Sequence, residues 1–294
     1  MSVFLPDVFV SFTTIPSRLH LVKNNESLFL QDYPNLKTIF LTLPMNNMRG
    51  QPSVKELPTW LNEEPFLSRV KVVRPEKDYG PIMKYVGAVD EIPDDSFVFV
   101  CDDDRYYKKD FISRCVAAMG KVDSEQRKKI IVNGYETFDN MFGIDQSMFH
   151  LDFLYGYGGL LLHKDFLKHV KSQPLDKLKT CCLRNDDDVV SVWARDDGYK
   201  KVPISSGLDM SKQPHDIDAL STSYDRAADR HACQAMINSQ YADGLLTAII
   251  VLSIFTLLFL ISFLVMFVLW YRKRRTYNQI EKQQNEKERT IFSR

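Results

Sequence analysis

The chain has 294 residues, 38 Lys and Arg against 38 Asp and Glu, and no formal net charge. With 45% hydrophobic and 26% charged residues it is neither disordered nor collagenous, and five cysteines in this length are too few for a disulfide scaffold. Neutrality also excludes a protein built to grip nucleic acid, which needs a basic surplus against phosphates.

Read in chain order, the sequence alternates short apolar runs with helical stretches. Val8–Phe12 is a first strand ending in Thr13-Thr14, and Ile15-Pro16-Ser17 starts a helix with Ser17 as its cap. Thr38–Leu43, stopped by Pro44, and Val70–Val73 are the next strands. Gly80-Pro81 is a turn signal that opens a helix over Ile82–Val89. Phe97–Cys101 is wholly apolar, the pattern of a strand buried on both faces. Ile130–Val132 and Gly159–Leu162 are further strands. Strands separated by helices predict an α/β layer architecture with a mostly parallel sheet, whose ligands bind at the carboxyl ends of the strands. Residues 205–244 turn polar and irregular and read as a covering segment and stalk.

Leu245–Tyr271 is 27 residues without a charge. That exceeds the ~20 residues needed to cross a bilayer core, and its apolar residues occupy every helical face. Trp270-Tyr271 then Arg272-Lys273-Arg274-Arg275 follow as an aromatic belt and a basic flank. Residues 272–294 hold eight Lys and Arg and three Glu, leaving the rest of the chain acidic. The expected organisation is therefore a domain over 1–204, a stalk over 205–244, one membrane span over 245–271 and a basic tail over 272–294. Met1–His20 has no basic leader and carries Pro6 and Asp7, unlike a signal peptide. Cys101, Cys115, Cys181, Cys182 and Cys233 are odd in number and scattered, which suits a reducing compartment. Both point to a cytosolic domain; the basic flank points the other way. One glycosylation sequon, Asn25-Glu26-Ser27, is present.

Three motifs carry the chemistry. The buried strand Phe97–Cys101 runs directly into Asp102-Asp103-Asp104. Clustered carboxylates repel and need a cation, and hard oxygen ligands suit Mg²⁺ or Mn²⁺. Asp78-Tyr79-Gly80-Pro81-Ile82-Met83-Lys84 offers a helix start with a lysine one turn in, an arrangement that attracts phosphate. Arg184-Asn185-Asp186-Asp187-Asp188 opens a helix with three acids, preceded by the glycine- and tyrosine-rich Tyr155-Gly156-Tyr157-Gly158-Gly159. Aromatic rings of that kind stack on the apolar face of a sugar. No GxSxG, Walker A, HExxH or GxGxxG motif is present.

On these residues the sequence resembles the GT-A glycosyltransferases, in which a DxD motif follows a buried strand and holds the metal bound to a nucleotide-sugar. Val8–Arg18 is similar to that family's first strand and nucleotide-facing loop, and Leu28-Phe29-Leu30-Gln31-Asp32-Tyr33-Pro34 to the run before its second strand. The resemblance covers about residues 8–205 and extends to small glycosyltransferases of algal viruses and microbial eukaryotes. It implies Mn²⁺ or Mg²⁺ on Asp102 and Asp104, with His215 as a late ligand. It implies nucleotide contacts from Thr13, Thr14, Arg18, Asp78, Lys84 and Asp103. An acid at the later helix start, Asp187 or its neighbours Asp186 and Asp188, would be the catalytic base of an inverting enzyme. The partners implied are a nucleotide-sugar donor, a glycan or other hydroxyl acceptor, and the membrane. Two alternatives stay open: a nucleotidyltransferase of sugar phosphates, against which stands the absence of glycine from Ser11 to Arg18, and an inactive sugar- or nucleotide-binding membrane protein.

Overall fold

A computed structural model describes residues 4–46, 48, 50–134, 153–213 and 226–292. Seven strands among these form one sheet: β1 Val8–Thr13, β2 Leu36–Thr42, β3 Val70–Val73, β4 Phe97–Val100, β5 Ile130–Asn133, β6 Leu160–His163 and β7 Lys200–Pro203. Their order is β3-β2-β1-β4-β6-β5-β7. All neighbours are parallel except β6, which runs antiparallel to both β4 and β5. The helices are α1 Leu19–Asn24, α2 Phe66–Arg69, α3 Met83–Val86, α4 Phe111–Gly120, α5 Lys164–Ser172, α6 Thr180–Arg184 and α7 Asp186–Asp196, followed by a long C-terminal helix, Arg226–Phe292. The fold is thus α/β with a mostly parallel sheet, as the alternation of apolar runs implies.

Period-two alternation assigns each strand's side chains to two cores. Val8, Val10, Phe12, Phe97 and Phe99 pack on one face with Val22 of α1 and Phe111, Ile112, Cys115 and Met119 of α4. Phe9, Val98, Val100, Leu160 and Leu162 pack on the other with Tyr85 and Val86 of α3, Phe166 and Val170 of α5, and Val190 of α7. Every β4 residue is buried, which is why that stretch of sequence has no polar face. Burying each of these large side chains stabilises the fold by about 1.5–3 kcal/mol before entropy. Close packing also fixes Gly159, whose φ of 82° suits glycine. A Cβ there would stand 2.6 Å from Phe99 and 2.8 Å from Phe111.

The strand that sequence reading omits is β7. Lys200-Lys201-Val202-Pro203 is charged and ends in proline, a composition tolerated at a sheet edge, where β7 lies beside β5. The helix expected over Ile82–Val89 is shorter, a 3₁₀ turn Gly80–Ile82 continuing into α3.

Two compact units divide the chain, Met1–Ala235 and Met236–Arg294. In the second, Ile249–Arg275 is 27 residues of helix, long enough to cross a membrane, with an 18-residue stretch whose mean hydropathy is 3.0. Its large apolar side chains from Ile249 to Tyr271 are exposed, so this is not a buried core helix. The cysteine reading is corrected in the first unit: Cys182 and Cys233 form a disulfide, while Cys101, Cys115 and Cys181 are free. Sequence separation of 51 residues hides this pair.

Candidate active site

The sheet's register brings the motifs together. Ser11 pairs with Val100 across β1 and β4, so Thr13-Thr14 runs beside Asp102-Asp103. Val100 also pairs with Leu160 of antiparallel β6, which sets the turn Gly156–Gly158 at the same end. The start of α7 completes one open cleft there. Thr13, Thr14, Arg18, Asp78, Lys84, Asp102, Asp103, Asp104, Asp186 and Asp187 all line it.

The acidic loop is braced from outside the cleft. Gln31, buried, donates from Nε2 to the carbonyls of Ser27 and Lys108 and accepts from the Ile112 N–H. Asn25 donates to the Arg105 carbonyl at 2.9 Å, and Tyr33 to that of Pro6 at 2.6 Å. The run Leu28–Pro34 therefore earns its place as scaffold, tying the segment after the acidic triplet to the opposite side of the chain.

Within the loop the three carboxylates face different partners. Asp102 Oδ1 accepts from Lys84 Nζ at 2.8 Å. Asp103 accepts from the Thr14 hydroxyl at 2.5 Å and pairs with Arg18 at 2.9 Å. Asp104 pairs with Arg18 at 2.5 Å and with Arg105 at 3.4 Å. Burial pushes the Asp103 carboxyl up to about 7 against the pull of Arg18. Burial would raise Asp102 too, but Lys84, with Arg105 and Arg18, holds it below the ordinary carboxylate range.

Lys84 is expected from sequence to reach a phosphate. Its ammonium is instead 3% exposed and lies between the two acidic triplets, 2.8 Å from Asp102, 2.8 Å from Asp186 and 3.9 Å from Asp187. Burial opposes its charge, yet the surrounding carboxylates hold its pKa well above that of a free lysine. The Ser11 hydroxyl bonds the Lys84 carbonyl at 2.7 Å and so fixes α3 beneath β1. Asp78, likewise expected near base or ribose, lines the cleft while its oxygens accept from the N–H groups of Gly80 at 2.7 Å and Met48 at 2.9 Å. Thr13 donates to the Thr42 carbonyl at 3.1 Å.

Successive residues of a helix point about 100° apart, and the first turn of α7 separates its three acids accordingly. Asp186 faces Lys84. Asp188 is turned away to Arg230, 2.9 Å distant on the C-terminal helix. Asp187 Oδ1 accepts from the Gly156 N–H at 3.0 Å and lines the cleft. Burial first, then the charge of Asp186, push its carboxyl up to about 7. A Cβ at Gly156 would overlap Lys84 Nζ and stand 2.8 Å from Asp187 Oδ1, so one of those side-chain ends would have to shift.

Sequence reading missed four participants. Arg105 and Arg184 line the cleft; Arg105 lies over the Tyr157 ring, 5.6 Å from its centroid. Asp229 and Arg230 are the others. Arg184 pairs with Asp229 at 3.0 Å, so two ion pairs and the Cys182–Cys233 bridge clasp the first turns of the C-terminal helix to α6 and α7. The signal available was electrostatic: two Asp triplets in one chain demand nearby cations. His215 lies outside the described residues.

A divalent ion fits this cleft. Six carboxylates and four cations line it, so an anionic diphosphate would enter a net negative site unless a cation came with it. Among the described residues no three ligating side chains converge on one point. That suits Mg²⁺ or Mn²⁺, which are commonly held by one or two carboxylates with substrate phosphate supplying further oxygens. Asp102 and Asp104 are the carboxylates flanking the loop.

No protein-family model matches the chain, and no curated protein matches it. Solved structures do. The mannosyltransferase PcManGT from Pyrobaculum calidifontis, in complex with GDP-Man and Mn²⁺, is 15% identical over 68% of this chain and 55% of its own, with a TM-score of 0.49. S. aureus TarS 1-349 is 16% identical over 68% of this chain and 58% of its own, with a TM-score of 0.44. The apo-form glycosyltransferase GlyE of Streptococcus pneumoniae TIGR4 is 11% identical over 67% of this chain and 45% of its own, with a TM-score of 0.37. The chain thus spans about half the length of each of these proteins.

Proposed function

We propose that the chain is a metal-dependent, inverting GT-A glycosyltransferase that moves a sugar from a nucleotide-sugar to a hydroxyl acceptor. One observation carries the reading: Asp102, Asp103 and Asp104 from one acidic triplet and Asp186 and Asp187 from the other face one cleft at the carboxyl ends of β1 and β4. The sequence resemblance supplies the reaction class.

Asp102 and Asp104 would hold Mn²⁺ or Mg²⁺, which when bound supplies Lewis-acid neutralisation of the departing diphosphate. The remaining work falls to the chain. Thr13, Thr14 and Arg18 bound the donor side, and Asp103 keeps Arg18 oriented there. Asp187 takes the proton from the acceptor hydroxyl as its oxygen bonds the anomeric carbon and the bond from that carbon to diphosphate breaks. A carboxyl poised near 7 suits that task better than an ordinary aspartate. Asp186 and Asp188 are engaged by Lys84 and Arg230, which leaves Asp187 as the favoured base.

The same reading makes the chain a single-pass membrane protein. Support comes from the exposed apolar helix Ile249–Arg275. The Cys182–Cys233 bridge suits an oxidising compartment for the domain, and Arg272–Arg275 suits a cytosolic tail; together they favour the orientation opposite to the cytosolic one expected from the N-terminal sequence. Asn25 cannot report on it, because its side chain is buried against the Arg105 carbonyl.

The test is a donor-hydrolysis screen of the full chain in detergent against a nucleotide-sugar panel, with and without Mn²⁺. Mn²⁺-dependent release of a nucleoside diphosphate supports the reading. Exchange of a sugar phosphate with a nucleoside triphosphate, and no donor hydrolysis, overturns it in favour of a nucleotidyltransferase. Protease treatment of sealed vesicles checks orientation: digestion of the domain from the cytosolic side rejects the lumenal placement.

A further inference from the structure

The carboxylates assigned to the metal are already engaged by the chain's own cations. Both oxygens of Asp104 face guanidinium groups, Arg18 at 2.5 Å and Arg105 at 3.4 Å. Asp102 is held by Lys84 at 2.8 Å. Arg18 also pairs with Asp103, and it is only 8% exposed. A cation that takes Asp104 therefore removes an ion pair from a buried guanidinium. Arg18 would keep Asp103, but taking one of two carboxylates from a buried guanidinium is unfavourable. A diphosphate entering the same cleft would supply the replacement anion, and arginine is well suited to accept it.

We propose that Arg18 is an exchangeable counter-ion: it holds Asp104 before the metal binds, and passes to the donor's phosphate when the metal takes the carboxylates. The inference rests on the donor site proposed above. Arginine–carboxylate and metal–phosphate pairs become arginine–phosphate and metal–carboxylate pairs. Each anion keeps a cation beside it, each cation keeps an anion, and no covalent bond changes. Metal alone then binds weakly, because Arg18 competes for its ligand, and metal with a nucleoside diphosphate binds tightly. Arg105, whose side chain is 34% exposed, competes less because water screens it.

The experiment measures free Mn²⁺ by electron paramagnetic resonance during titration of the full chain in detergent. In the wild-type chain, UDP or GDP is expected to tighten Mn²⁺ binding by at least about tenfold. Arg18→Met is expected to bind Mn²⁺ alone about tenfold more tightly than wild type. Arg18→Lys, which keeps the charge, stays within about threefold of wild type. Adding Asp104→Asn to Arg18→Met removes the gain. Mn²⁺ binding to wild type that is equally tight without nucleotide overturns the exchange, and this holds even where the methionine variant does not fold. So does a folded Arg18→Met chain that binds Mn²⁺ alone no better than wild type. If nucleotide-dependent Mn²⁺ binding persists in wild type while the variant gains nothing, only the exchange fails. If neither chain binds Mn²⁺ with any nucleoside diphosphate, the glycosyltransferase reading fails with it.

Discussion

Asp102–Asp104 and Asp186–Asp188 are the same tripeptide, and all of the first and two acids of the second line one cleft. They differ in the backbone beneath them. The first leaves a buried strand as a loop, so its three side chains stay close to Arg18, Lys84 and Arg105 and share their charge. The second begins a helix, whose rotation sends one acid to Lys84, one to the cleft and one to Arg230. The loop keeps its three carboxylates together among shared cations, the arrangement the proposed metal site draws on. The helix isolates a single carboxylate, as a base requires. Lys84 lies between them and contacts both.

The largest expected break in this comparison is Asp187→Asn. Loss of a general base should lower kcat by about 10²–10⁴-fold. Mn²⁺ and nucleotide binding, which the proposed function assigns to the loop, should not change; a variant that loses binding instead would move Asp187 to the donor side.

Gly156→Ala comes next. The added methyl would displace Lys84 Nζ or Asp187 Oδ1, and a shift of about 1 Å at a reacting group costs roughly 10²-fold. The loss should appear in single-turnover rates while the melting temperature stays near that of the wild type.

The pH profile sharpens the contrast. Because its carboxyl is raised to about 7, Asp187 is protonated and inactive below that value. The rate should fall about tenfold per pH unit below 7 and level off above it. Asp186→Asn removes a neighbouring negative charge, so the midpoint should move to lower pH. A limb that stays in place would show that another group titrates.

Asp188→Asn should have the smallest effect. Its partner Arg230 is 33% exposed, so solvent offsets much of the lost pair. Stability should drop by about 1 kcal/mol and kcat change less than about threefold, read from thermal melts and turnover on one preparation.

How far these features can be read from sequence depends on their range. Phe97–Cys101 announces itself because a strand buried on both faces leaves only apolar letters, and the acids that follow stand out against it. β1, five of whose six residues are buried, is legible in much the same way; β3, half-exposed and carrying Lys71, shows only as a short valine run. β7 is not, since an edge strand carrying Lys200, Lys201 and Pro203 reads as a loop. The roles of the three helix acids depend on Lys84 and Gly156, from the α3 and β6 regions, and on Arg230, 42 residues away. No local pattern encodes those partners. Lys84 shows the limit most clearly: helix position alone suggests a phosphate ligand, whereas the sheet places its ammonium among carboxylates.

The clasp between α6 and the C-terminal helix bears on how the protein would respond to cleavage. Residues 182 and 233 are joined covalently, so a protease that cuts anywhere between them produces two chains that remain one molecule. The part that carries the sheet stays attached to the apolar helix until the bridge is also reduced. Release of a soluble form by one cut requires a site after Cys233 and before Ile249, where the apolar segment begins. A form shed this way carries Asp229 and Arg230 with it, and so keeps both ion pairs at the end of α6 and the start of α7.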